Sequence, residues 1–175
     1  MKNLSSPAFA AILLLTSCGM GAKITPPMYC PQVAVLEQAQ TVTLFLPDRA
    51  DVAARISTAQ ITGVSGSCNL HPKKHTLIVT VNTNFTADNG PANNFNPLTL
   101  TWFAAITSGN TVIQKTDYTR VFNFDGNSSS VSGTAKPIKV EFPNVPSSAN
   151  TEILVGFEET PDQLAYTAAH PNAAP

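Results

Sequence analysis

The chain has 175 residues, a formal net charge of −1 and only 12% charged side chains. Its lysines and arginines form no cluster of the kind that marks a nucleic-acid-binding face, which argues against that class. Thr, Ser and Asn supply most of the polarity, a composition that suits a strand-rich exported domain better than a helical cytoplasmic one.

In chain order, the first feature is Met1-Lys2-Asn3 followed by AFAAILLL over residues 8–15, with no acidic residue before Glu37. An apolar run of this length is too short to span a bilayer, which takes about 20 residues. It matches the apolar h-region of a signal peptide. Leu15-Thr16-Ser17-Cys18 follows, and it resembles the bacterial lipobox: an aliphatic residue, two small residues and a cysteine. The resemblance implies that residues 1–17 are a lipoprotein signal peptide and that a diacylglyceryl group is transferred to the Cys18 sulfur. Cleavage before Cys18 and acylation of the new amino terminus would complete the anchor. An ordinary cleaved signal peptide carrying a chance cysteine is the alternative. Gly19, where an aspartate would favour retention in the inner membrane, is similar to the outer-membrane pattern. The resemblance covers residues 1–19 and is to the small outer-membrane lipoproteins of Gram-negative bacteria. It implies a lipid-anchored protein facing the periplasm.

With Cys18 assigned to lipid, Cys30 and Cys68 remain. In an oxidising compartment they are expected to pair as a disulfide. Two free thiols or a metal site are the alternatives, although neither cysteine shows ligand spacing. Residues 18–31 (CGMGAKITPPMYCP) read as a lipidated tether, because Pro26-Pro27 favours an extended path.

Beyond residue 31 the pattern is strand-like. TVTLFLP (41–47) alternates with a period of two. In STAQITGVSGSCNL (57–70), Ile61 and Val64 are offset by three, which predicts a bulge near Gly63. HPKK (71–74) is a turn leading to the alternating HTLIVTVNTNF (75–85), so 57–70 and 75–85 form a hairpin. After a loop at 86–97, strands are predicted at 98–106, 111–124, 136–143 and 150–159, with DGNSSSVSG (125–133) as a polar loop. TPDQLAYTAA (160–169) predicts a short helix, with Thr160 as N-cap, Pro161 at the first helical position and Gln163 completing a capping box. The tail, 170–175, reads as frayed.

These seven strands predict an all-β domain over residues 32–169, an immunoglobulin- or fibronectin-III-like β-sandwich with a short C-terminal helix. Trp102 lies after both cysteines, unlike the antibody arrangement. A closed lipocalin-type barrel is the structural alternative.

Candidate chemistry is sparse. His71 and His75 are four apart but flank a turn, and the sequence places no third metal ligand beside them. Gly63-Val64-Ser65-Gly66 lacks the second glycine and the strand-to-helix context of a nucleophile elbow. Asp48 and Asp51, and Glu158 and Glu159, are paired along the chain. Glu158 and Glu159, as strand neighbours, point to opposite faces and suit solubility better than acid–base work. Trp102, Phe103, Phe122 and Phe124 are the candidate interaction face. The expectation is therefore a non-enzymatic protein with no cofactor, no metal and no nucleic-acid partner. It would bind the membrane through its acyl chains, and an envelope protein as partner. The alternatives are a module for glycan or a small ligand, and a hydrolase using His71, His75 or His170.

Overall fold

The computed structural model describes residues 29–71, 73, 76–126, 128–143 and 150–171. The expected signal peptide, Cys18, His75 and the last four residues of the tail lie outside them. Nine strands and one helix are present among the described residues: β1 (Gln32–Val35), β2 (Thr41–Phe45), β3 (Arg55–His71), β4 (Thr76–Asp88), β5 (Leu98–Ser108), β6 (Thr111–Phe122), β7 (Ser130–Thr134), β8 (Ile138–Pro143), β9 (Thr151–Phe157) and α1 (Pro161–Ala169). Two open sheets face each other. One has the order β1-β9-β5-β6. The other has the order β2-β3-β4, with β7 and β8 sharing the far edge of β4. Strand β8 pairs with residues 76–81 of β4, and β7 pairs with residues 84–88. The architecture is a β-sandwich, not a closed barrel.

The period-two pattern sets which side chains go inward. Leu77, Val79, Val81, Phe85 and Ala87 of β4 are buried, as are Ile153, Val155 and Phe157 of β9. Phe85 lies at the centre, edge-on to Trp102 at 5.5 Å and to Phe122 at 6.2 Å, and tilted against Phe157 at 5.8 Å. Such aromatic pairs contribute about 0.5–1.5 kcal/mol each beyond their burial.

The predicted bulge is present. Ile61 pairs with Phe85 and Gly63 with Asn84, which leaves Thr62 without an opposite residue. The extra residue shifts the parity of β3. Ala59 and Ile61 face the core before it, and Val64 and Cys68 pack against the core after it. Past the bulge, β1 crosses over β3. Val33 Cγ2 occupies the space where a side chain on Gly66 would begin, 2.5 Å from an ideal Cβ position. Glycine at 66 is what lets the two sheets close at this edge.

Two strands were not predicted. Strand β1 has four residues, too few to show a period, and pairs in parallel with β9. Strand β7 begins inside the stretch read as a polar loop, 125–133, and ends one residue beyond it. Its residues alternate between exposed and half-buried, so none carries a core signature. The predicted helix is present. Thr160 Oγ1 accepts from the Gln163 amide, and Gln163 Oε1 accepts from the Thr160 amide. His170 is held at the end of the helix: Nδ1 lies 2.9 Å from the Tyr166 carbonyl, and the ring stacks on Tyr166 at 4.1 Å.

Candidate functional site

Cys30 and Cys68 form a disulfide, with their Cα atoms 5.9 Å apart. It ties the segment entering β1 to the far part of β3, two residues beyond Gly66, and so fastens the edge where the sheets meet.

The aromatic face expected from the sequence is not a surface. Trp102, Phe103, Phe122 and Phe124 are 2%, 8%, 1% and 5% exposed. Trp102, Phe122 and Phe124 belong to the main core between the sheets. Tyr118, stacked on Trp102 at 4.9 Å, covers it from β6. Phe103 points the other way, to the outer face of the four-stranded sheet. There it packs with Ala39, Ala105 and Leu36, and the Lys115 ammonium lies 4.7 Å over its ring. The strand is apolar on both sides because the short helical turn Glu37–Ala39 covers its outer face. Gly156 makes room for this cover. A Cβ there would lie 2.8 Å from both Ala39 Cβ and Phe103 Cζ.

The other sequence candidates take local roles. Asp51 accepts two bonds from Arg49 at 2.8 Å and caps the turn Val52–Ala54 through the amides of Ala53 and Ala54. Ser65 is mid-strand in β3, opposite Asn82. His71 is exposed at the end of β3. Glu158 and Glu159 have different surroundings: Glu158 is exposed and pairs with Lys115, whereas Glu159 is half-buried beside Thr167. Among the described residues no group of three or more His, Cys, Asp or Glu is positioned to hold a metal ion. Among them, too, no helix is long and apolar enough to cross a membrane.

A groove of about 620 Å³ lies between α1 and the chain around Glu37–Ala39. Gln40, Thr41 and Gln60 line one wall, and Leu164, Thr167 and His170 the other. The docking of α1 on β2 creates it. Tyr166 meets Phe45 edge-on at 4.9 Å, and Thr167 Oγ1 donates to the Thr41 carbonyl at 3.2 Å. Burial raises the Glu159 carboxyl from 4.5 to about 7, against the opposing hydrogen bond from Thr167. Apolar Leu164 and the amide-rich wall give the groove one greasy and one hydrogen-bonding side. A second hollow of about 320 Å³ opens between β6 and β8, with Ala104, Ile106 and Tyr118 in its lining.

The sequence located α1 by its capping box but not its seat on β2. Thr41 and Thr167 come together only in the folded chain, and nothing local to either residue signals the contact.

The fold and these features define a disulfide-clipped, two-sheet β-sandwich with a docked C-terminal helix. No protein-family model matches the chain, and no curated protein or solved structure shows significant similarity to it.

Proposed function

We propose that this chain is a lipid-anchored envelope protein that faces the periplasm from the outer membrane. Its sandwich domain would serve as a scaffold or protein-binding module. The observation that carries the reading is the Cys30–Cys68 disulfide. It fits an oxidising compartment, and it leaves Cys18, at the end of Leu15-Thr16-Ser17-Cys18, without a cysteine partner in the chain. Thioether-linked diacylglycerol plus an amide-linked chain gives firm anchoring, whereas a single chain binds only marginally. The disulfide fastens the first strand of the sandwich close after the anchor. The domain would therefore stand near the membrane surface.

Palmitate labelling in growing cells tests the anchor. The wild-type protein is expected to take up label, and Cys18→Ala or treatment with globomycin is expected to abolish it. Unchanged labelling of Cys18→Ala would overturn the reading.

The groove beside α1 supports a second reading, a module for glycan or a small ligand. Its volume of about 620 Å³ lies within the range of small-molecule sites, about 300–1,000 Å³. Gln60 offers an amide such a ligand would use, and Gln40, whose Nε2 donates to the Ile61 carbonyl at 3.1 Å, offers its amide oxygen. Titration with a panel of soluble glycans, read by chemical shifts of Gln40 and Gln60, tests it. The hydrolase reading gains less from the geometry, since His170 is stacked on Tyr166 and its Nδ1 is engaged by a carbonyl.

A further inference from the structure

Each sheet of an open sandwich has two edge strands, and an uncovered edge is a template for pairing with another strand. Three of the four edges here are short or covered. Strand β1 has four residues and is fastened over β3 by the disulfide. Strand β2 is covered by α1 through Thr167 and Tyr166. Strands β7 and β8 share one edge as pieces of five and six residues. Strand β6 is different. It has 12 residues, pairs with β5 on one side and has no strand on the other among the described residues. Residues 111–117 are exposed throughout, and they include Val112 and Ile113, each 59% exposed.

The charges on this edge select an occupant. Lys115 and Asp117 flank Thr116, and all three are exposed. Within one chain the Lys115 ammonium pairs with Glu158 and lies 3.8 Å from Asp117, so pairing across the axis would extend this ion cluster rather than join free charges. When an antiparallel strand extends a sheet across a two-fold axis, residues opposite each other lie on the same face. One residue then falls on the axis, opposite its own copy. With Thr116 on the axis, Lys115 faces Asp117 of the second copy and Asp117 faces Lys115. Moving the axis by one residue places Lys115 opposite Lys115, or Asp117 opposite Asp117. Opposite charges across strands stabilise and like charges destabilise, so the edge favours its own sequence in one register. In that register Gln114 faces Tyr118. A β-bulge at Ile113, where β5 and β6 change register between Ile106 and Thr107, limits the pairing at one end and centres it on residues 114–118.

We infer that β6 is a self-association edge: two copies of this chain join their four-stranded sheets by antiparallel β6–β6 pairing about Thr116. The pairing uses no part of the groove beside α1 and does not depend on the lipid anchor.

Disulfide trapping in the full chain tests both the occupant and the register. Thr116→Cys is expected to give a disulfide-linked dimer under mild oxidation. Thr119→Cys, on the same edge but opposite Ile113, is expected to stay monomeric. Adding Lys115→Asp to Thr116→Cys sets aspartate against aspartate and is expected to cut the trapped dimer about tenfold. Further addition of Asp117→Lys exchanges the charges and is expected to restore it. Restoration also separates pairing from folding, because Lys115 remains absent and its contacts with Glu158 and Phe103 stay lost. Equal trapping at 116 and 119, no trapped dimer with Thr116→Cys, or trapping of a different protein at 116 would each overturn the inference.

Discussion

Thr167 Oγ1 lies 3.4 Å from Glu159 Oε2, and the same hydroxyl reaches the Thr41 carbonyl at 3.2 Å. A hydroxyl has one hydrogen. If Glu159 is ionised, that hydrogen is shared between two acceptors. If Glu159 is protonated, its carboxyl O–H donates a hydrogen bond to the Thr167 hydroxyl oxygen, and Thr167 donates undivided to the Thr41 carbonyl. The half-buried position of Glu159, which raises its carboxyl to about 7, favours the second arrangement below about pH 7.

Linkage gives the sign. A group whose folded-state value is raised contributes stability that is fully present below the unfolded value, here 4.5, and lost as pH rises through about 7. Thermal unfolding between pH 5 and pH 8 is therefore expected to show a falling midpoint in the wild type and a flatter profile in Glu159→Gln. The variant is expected to be the more stable protein at pH 8. Parallel profiles would show that Glu159 does not govern the docking of α1.

The disulfide is expected to contribute about 3–4 kcal/mol on the loop-entropy account of cross-links, for a separation of 38 residues. Urea unfolding of the wild type against Cys30→Ser/Cys68→Ser measures it. In the wild type, both cysteines should resist alkylation until reduced. Immediate labelling of both thiols would contradict the pairing.

Gly66 and Val33 make a size-complementary pair where β1 crosses β3. Gly66→Ala is expected to destabilise the fold by about 1–3 kcal/mol through overpacking. Val33→Ala in the same chain should recover part of that loss. A double-mutant cycle in denaturant reads the coupling, which contacting residues show and distant ones do not. Additive effects would mean that the crossing is looser than described.

Phe85 joins both sheets through Trp102, Phe122 and Phe157. Phe85→Ala is expected to cost about 3–5 kcal/mol. Trp102 is the chain's one tryptophan, so its emission reports this site directly and should shift to the red as the packing loosens. A loss below about 1 kcal/mol would contradict the central place given to Phe85.

Much of the sandwich was legible because its strands are buried on one face. Leu77, Val79 and Val81 announce β4, and Ile138, Val140 and Phe142 announce β8. Even the bulge could be read, since an apolar offset of three at Ile61 and Val64 has one economical explanation in a strand. Strand β7 was not legible because Ser130–Thr134 has no core-facing set to alternate. Strand β1 was too short to show one. The aromatic run at Trp102 and Phe103 was visible, but its exposure was not. What covers Phe103 is the turn Glu37–Ala39, brought there by the β1–β9 pairing from a distant part of the chain. The groove was invisible for the same reason, since both its walls are products of tertiary docking.

Mass spectrometry of the amino-terminal peptide of the protein isolated from its membrane tests the central claim most directly. The account predicts that the chain begins at Cys18 and carries diacylglyceryl and amide-linked acyl groups on that residue. A chain that still begins with Met1, or one that begins at or near Cys18 with an unmodified thiol, would contradict it.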